Sequence, residues 1–122
     1  MRIGVFTSVH ANLPGLRAVL HRLEQEEVDL AVCLGDVAGY GPFPREAVDL
    51  IRDAGVETVQ GNWDRALGRG RSSPGDSFDN VHWERLAGES LQWTLGRLTD
   101  GQRRWLRDLP QDVRAQHLPL PH

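Results

Sequence analysis

The sequence contains no lysine, and all 14 of its basic residues are arginine. A Walker-type phosphate loop needs a lysine beside the phosphates, and Schiff-base catalysis needs a lysine amine, so these residues support neither chemistry. The single cysteine, Cys33, has no partner within the sequence for a disulfide, and its place in an apolar run predicts a buried thiol. Neither a disulfide framework nor a lysine-based active site is therefore expected.

An excess of positive charge is also absent, because the net charge is −3. No broad basic field attracts nucleic acid or an anionic membrane. No apolar run is long enough to span a bilayer, and Met1 begins a predicted strand rather than a signal peptide. With 39% hydrophobic residues, the 122 residues are expected to form one domain with a modest core. We expect a cytoplasmic protein with neither a membrane nor a nucleic-acid partner.

Apolar runs bounded by polar or turn residues predict three buried strands. These runs are Arg2–Thr7, Leu30–Leu34 and Val56–Gln60. Two amphipathic segments between them predict helices, the first capped by Asn12 and the second beginning at Pro44 and ending at Gly55. The order strand, helix, strand, helix, strand requires two crossovers and a parallel sheet. The sequence therefore predicts an α/β fold that begins with a parallel βαβαβ unit.

The character of the sequence changes after the third strand. Residues 68–80 are rich in Gly, Ser and Pro and predict a mobile loop, whose Arg69 and Arg71 are either solvated or in contact with an anionic ligand. Apolar spacing then predicts a helix from Trp83 to Leu98 and a further helix capped by Thr99. The segment Asp112–His122 is either a short terminal strand or a tail.

A polar motif follows each of the three predicted strands. The motifs are Ser8-Val9-His10-Ala11-Asn12, Gly35-Asp36 and Gly61-Asn62-Trp63-Asp64. Because parallel strands end at the same edge of a sheet, the three motifs are expected to lie close together. Open α/β sheets bind their ligands at that edge. The sequence therefore predicts a functional site formed by all three motifs.

These ordered motifs resemble those of the calcineurin-like metallophosphoesterases, and most of all their small bacterial phosphodiesterase-type branch. Such proteins carry Asp-x-His, then Gly-Asp, then Gly-Asn-His-Asp or Gly-Asn-His-Glu, and later two further histidine motifs. The resemblance covers roughly the first two-thirds of such a domain. It implies a partial domain, residues 1–122, that forms the N-terminal half of a four-layer sandwich. It also implies a degenerate, C-terminally truncated member of that family.

The resemblance also implies a set of metal ligands. In the family, two divalent ions bind the phosphate and generate a hydroxide. Asp36 matches the carboxylate that bridges the two ions, His10 a ligand of the first ion, and Asn62 a ligand of the second. His122 loosely matches a later histidine ligand, and Ser8 replaces an expected aspartate with a poor ligand. The expectation is at most one ion, of manganese, zinc, iron or nickel.

Two of these ligands also have a purely structural interpretation. His10 is suited to packing and hydrogen bonding in a turn after a strand, and Asp36 is suited to capping a turn. Their positions beside the other motifs favour the ligand interpretation.

The proton donor of the family is not conserved in this sequence. Trp63 replaces the histidine that contacts the phosphate in relatives, and Asp64 follows in its expected place. Indole only donates a hydrogen bond, so no catalytic residue is assigned. Two functions remain open. One is a phosphate mono- or diester hydrolase with little or no activity, and the other is a noncatalytic anion-binding or protein-interaction module.

Two binding properties complete the expectations. The amides of Ala11, Asn12 and Leu13 open the first helix and predict a site for phosphate or a phosphate ester. Strands that are apolar on both faces, as at Val5 and Leu34, predict a homodimer that covers the open face of the sheet. The alternative is that residues 83–109 fold back over that face.

Overall fold

The computed structural model describes residues 1–113. In chain order the elements are β1 (Ile3–Phe6), α1 (Leu13–Gln25), β2 (Leu30–Cys33), α2 (Pro44–Asp53), β3 (Glu57–Thr58), α3 (Asn62–Arg69), α4 (Val81–Arg97) and α5 (Asp100–Arg107). The strands form one parallel sheet in the order β1-β2-β3. The predicted α/β fold with a parallel βαβαβ unit is confirmed. His122 and nearly all of the predicted terminal strand lie outside the described residues.

The third strand is shorter than the apolar run predicts. Val59 still donates its amide to the Cys33 carbonyl at 2.9 Å, but the Gln60 amide donates to the Pro110 carbonyl at 2.7 Å. The Gln60 side-chain amide also donates to the carbonyls of Leu106 and Arg107, at 3.0 and 3.1 Å. Pairing in the sheet therefore ends here because the chain turns to meet the segment that ends α5.

Helix α3 was not predicted. Because it extends to Arg69, the loop that was expected to begin at residue 68 begins at residue 70. Asp64 accepts a hydrogen bond from the Gly61 amide at 2.8 Å, which caps the first turn. Gly70 ends the helix in the left-handed conformation, with φ of 66°. No helix was predicted here because most of residues 62–70 are polar or glycine.

The two predicted C-terminal helices are present and tied to the rest of the fold. Asn80 caps α4 by accepting from the Trp83 amide, and Thr99 caps α5 by accepting from the Gln102 amide. The buried side chain of Gln102 donates to the Arg45 carbonyl and to Asp49 on α2. Helix α5 is thus fixed to α2 by polar contacts as well as by packing. No helix within residues 1–113 is long and apolar enough to cross a membrane.

The core lies between one face of the sheet and the helices, and each of α1 to α5 contributes buried side chains to it. Its fully buried side chains include Cys33, Val48, Ile51, Leu67 and Leu106. Burial raises the pKa of the Cys33 thiol to about 11, in line with the predicted buried cysteine.

The opposite face of the sheet is exposed. Ile3, Val5 and Leu34 are 43%, 58% and 49% exposed. Helix α5 packs against α3, and α4 packs against α2 and α3. The alternative in which residues 83–109 cover the open face is therefore wrong, because these helices pack on the helical side of the domain.

Gly68 lies where α3 and α5 meet. A Cβ atom at this position would lie 2.5 Å from the Arg107 amide nitrogen and 2.6 Å from its Cα. Gly68→Ala should lower the free energy of unfolding by about 1–3 kcal/mol, because one backbone must shift. The matched control is Gly96→Ala in α4, where the added Cβ atom would have no neighbour within 4 Å beyond the backbone of its own helix. This control should gain about 0.5–1 kcal/mol from helix propensity. Chemical denaturation measures both values, and equal stability of the two variants would contradict the close packing.

Candidate functional site

Backbone hydrogen bonds join the first two motifs at the strand ends. The Ser8 amide donates to the Gly35 carbonyl at 3.2 Å, and the His10 amide donates to the Asp36 carbonyl at 2.8 Å. The next amide, from Ala11, donates to the Val37 carbonyl at 2.8 Å. The two turns therefore run side by side, as the parallel sheet predicts.

The backbone at these turns is strained. Five residues other than glycine have positive φ here: Ser8 (58°), His10 (44°), Ala11 (56°), Asp36 (55°) and Tyr40 (62°). Such residues are uncommon, and each costs on the order of 1–3 kcal/mol that the surrounding structure must offset. Strain of this kind is typical of functional sites. Its concentration after β1 and β2 marks the edge of the sheet where the motifs lie.

Asp64 connects the second motif to the third. Its side chain is fully buried and accepts from the amides of Asp36 at 2.9 Å, Val37 at 3.0 Å and Gly61 at 2.8 Å. Burial raises the pKa of Asp64 from 3.8 to about 6 against the opposing effect of these three bonds, and the charge of Asp36 raises it further. In this chain Asp64 organises backbone rather than accompanying a catalytic histidine.

Asp36 faces the beginning of α3. Its Oδ1 atom accepts from the Trp63 amide at 3.1 Å, and the residue is half-buried. One carboxylate oxygen is therefore engaged by the backbone at the start of α3, and not by the turn after Asp36 that the capping interpretation predicted. The residue nevertheless lies at the strand ends, as predicted.

His10, Tyr40 and Trp63 form an aromatic cluster over the strand ends. The His10 ring centroid is 5.1 Å from that of Tyr40 and 5.8 Å from that of Trp63, edge to face in both pairs. Tyr40 and Trp63 are 4.5 Å apart, and Trp63 is only 1% exposed. The Nδ1 atom of His10 lies 3.2 Å from the Ala38 carbonyl oxygen. The packing interpretation of His10 is thus also realised.

Asp76, which the sequence did not single out, ties the 70–80 loop to the third motif. Asn62 donates its side-chain amide to Asp76 Oδ1 at 2.7 Å and to the Pro74 carbonyl at 3.1 Å. The indole of Trp63 donates to Asp76 Oδ2 at 3.2 Å. Burial first, and then the charge of Asp76, raise the pKa of Tyr40. No local pattern identifies Asp76, because the fold alone brings it to its partners.

The described donors do not fit a two-metal centre. Within residues 1–113, no three His, Cys, Asp or Glu side chains come together in an arrangement that would hold a metal ion. Ser8 is exposed, and its hydroxyl lies 3.4 Å from that of Thr7. Among the expected ligands, Asp36 is the only carboxylate. Two adjacent divalent ions need several anionic oxygen ligands, so one carboxylate is insufficient.

The anion site predicted at the first helix is not supported by the hydrogen bonding. Of the three amides, that of Ala11 donates to Val37, and that of Asn12 donates to the Val9 carbonyl at 3.0 Å. Asn12 also caps α1 through its side chain, which accepts from the Gly15 amide. An anion at Leu13 would therefore lack the neighbouring donors on which the prediction depended.

Comparison with protein families matches residues 1–116 to the calcineurin-like phosphoesterase superfamily domain. Over 109 residues the chain is 33% identical to an uncharacterized protein of Methanocaldococcus jannaschii. That match covers 88% of this chain and 42% of the relative.

Two solved structures share the fold. A crystal structure of a metallophosphoesterase from Sphaerobacter thermophilus has 39% sequence identity and a TM-score of 0.66, covering 90% of this chain and 41% of that one. A crystal structure of a putative diadenosine tetraphosphatase has 22% identity and a TM-score of 0.65, covering 89% and 43%. The second similarity shows the fold alone. The chain thus spans less than half the length of each of these relatives.

Because the pKa of Asp64 is raised, we expect the free energy of unfolding to depend on pH. The folded state binds the proton more tightly than the unfolded state, so this group stabilises the fold below about pH 4. That contribution is lost as the pH rises to about 6. The difference in unfolding free energy between wild type and Asp64→Asn should therefore fall by up to about 3 kcal/mol across this range.

Urea denaturation between pH 4 and 7 measures this difference. Asp64→Asn should remain less stable than wild type at pH 7, by about 1–3 kcal/mol, because its NH₂ group faces backbone donors. Asp79→Asn is the control, since Asp79 is exposed. A difference that grows with pH would mean that the three amide bonds outweigh burial.

Proposed function

Because the chain belongs to the calcineurin-like phosphoesterase superfamily, we propose that it keeps the phosphoester-site frame of that family with little or no hydrolysis of phosphate mono- and diesters. Family membership and the three motifs at the strand ends support the frame. The environment of Trp63 supports the loss of activity, and this observation carries the proposal.

Trp63 occupies the position at which the resemblance implies a histidine. Its indole is 1% exposed, packs on His10 and Tyr40, and donates its only N–H to Asp76. An indole does not titrate and has no acceptor nitrogen, so it neither takes a proton nor delivers one to a leaving group. The side chain acts as a packing element.

For the metal, we propose at most one divalent ion, of manganese, zinc, iron or nickel. Asp36, His10 and Asn62 are the described residues that would hold it, and it would polarise a phosphate oxygen when bound. Asp36 supplies the only negative charge of this set. Asn62 already donates both N–H groups to the 70–80 loop, so its carbonyl oxygen would have to serve as the ligand. We expect weak binding.

The alternative function is a noncatalytic module that binds an anion without cleaving it. The contacts of Asp76 favour this alternative, because a carboxylate already accepts from two side chains of the third motif. An external anion that displaced Asp76 would meet the same two donors, and hydrogen bonds to an anion are the stronger kind.

The test of the proposal is turnover of a bis-aryl phosphodiester in the presence of manganese. Wild-type protein should stay near background, because loss of the acid alone costs about 10²–10⁴-fold and a metal ligand is lost as well. The double substitution Ser8→Asp/Trp63→His should strengthen metal binding, measured by calorimetry, more than it raises turnover.

Ser8→Asp alone is the matched control. Ser8 is exposed and has positive φ, which aspartate tolerates, so this change leaves the core intact. Thermal unfolding checks that the double variant, which removes a buried indole, is still folded. Turnover by wild type at the rate of an intact family enzyme, or two tight metal sites per chain, would refute the proposal.

We also propose a homodimer formed through the open face of the sheet. The exposed apolar side chains of Ile3, Val5 and Leu34 support it, because contiguous apolar faces are rarely left uncovered. Val5→Lys should shift the protein toward monomer in light scattering at micromolar concentration. The dissociation constant should rise by roughly tenfold or more, since a charge would be buried in the interface. Val81→Lys, at a position 78% exposed on α4, is the control. A strictly monomeric wild type would end this proposal.

A further inference from the structure

We propose that a cleft beside the third motif binds a phosphoryl group through the guanidinium groups of Arg65 and Arg71. The cleft has a volume of about 410 Å³. It lies between the first turn of α3, which contributes Asn62 and Arg65, and the chain from Arg71 to Gly75. Such binding requires neither a metal nor hydrolysis, so it deepens the noncatalytic, anion-binding alternative of the proposed function, on which it rests, by naming the site and the class of ligand.

The charge of the cleft differs in sign from that of the whole chain. The net charge of the protein is −3, yet the described residues that line the cleft include two arginines and no acidic residue. Six ion pairs occur within the described part of the chain, and neither Arg65 nor Arg71 takes part in any of them. Asp76 contacts Asn62 of this lining but forms an ion pair with neither arginine. Within the described residues the two guanidinium groups therefore leave a positive charge in the concave site that an anion would neutralise.

The chemistry of the two side chains favours a phosphoryl group. Guanidinium is planar and presents several N–H donors in a fork that matches two oxygens of a phosphate or carboxylate. Two such groups around one cleft suit a doubly charged tetrahedral anion better than a single carboxylate. The chemistry shared by free phosphate and a phosphate monoester is therefore the ligand class.

Hydrogen bonds fix the backbone of both arginines without a ligand. The Arg65 amide donates to the Gly61 carbonyl at 3.1 Å, in the first turn of α3. The Arg71 amide donates to the Ala66 carbonyl at 2.9 Å, just after α3 ends. The chain from Arg71 to Gly75, which forms the other wall, is held by the Asn62 side chain, since this side chain donates to the Pro74 carbonyl. Both guanidinium groups therefore extend from backbone that is already ordered, which lowers the entropic cost of binding.

The 70–80 loop offers a matched control within the same sequence. Arg69 is exposed and two residues from Arg71, but it does not line the cleft. Substituting either arginine by glutamine removes the same charge from the protein. Any effect of net charge alone should therefore be equal in the two variants, whereas binding in the cleft should distinguish them.

The experiment is a titration of metal-free protein, in the presence of a chelator, with inorganic phosphate and separately with methyl phosphate. Amide chemical shifts measured by NMR should change at residues 61–65 and 71–75. Arg65→Gln and Arg71→Gln should each weaken binding roughly tenfold, the loss typical of one charge-assisted contact. Arg69→Gln should bind as wild type does. Tighter binding of methyl phosphate would identify an ester as the ligand, and equal binding would identify the phosphoryl group alone.

Two results would overturn the inference. One is an absence of shifts at these residues up to millimolar phosphate, and the other is an equal loss of affinity in the Arg69 and Arg71 variants. Thermal unfolding checks that each variant is folded, and all three substituted arginines are exposed. Phosphodiester turnover measured on the same samples keeps this outcome separate from that of the proposed function, because phosphate binding here does not depend on activity.

Discussion

Asp64 accepts three backbone hydrogen bonds inside the protein, and these bonds join the turn after β2 to the start of α3. The positions of Asp36 and Trp63 depend on that connection, since Asp36 in turn accepts from the Trp63 amide. Burying the carboxylate costs free energy, which the three amides offset only in part, since the pKa of Asp64 remains raised. The bonds also serve the amides, which would otherwise lack partners themselves. One side chain thus holds two motifs in register.

The side chains at the strand ends differ from those that the family resemblance implies. Where the family resemblance implies a histidine and a metal-rich site, the chain has a buried indole flanked by His10 and Tyr40. Asp76 then closes this cluster from the loop by accepting from Asn62 and Trp63. The polar side chains of the third motif consequently contact the protein itself, which is the physical basis for proposing little or no turnover.

Local patterns predicted the parallel sheet and most helices, because strand periodicity and the caps at Asn12 and Thr99 depend on neighbouring residues only. The meeting of the three motifs followed from parallel topology. Helix α3 was missed because its eight residues include Gly68 and few apolar side chains. The role of Asp76 was missed because its partners lie 13 and 14 residues away in sequence. Contacts that the tertiary fold creates leave no mark in a local pattern.

Gln60 links the end of the sheet to α5 and the residues just after it through three carbonyls, those of Leu106, Arg107 and Pro110. Carbonyls in the last turn of a helix lack partners within that helix, so the terminus normally frays. In this protein the side chain of Gln60, two residues after the end of β3, donates to the carbonyls of Leu106 and Arg107. Local opening of α5 therefore requires the third strand to release its contacts, and the two should exchange their amide hydrogens as one cooperative unit. A segment nearly 50 residues downstream thus shares the stability of the sheet edge.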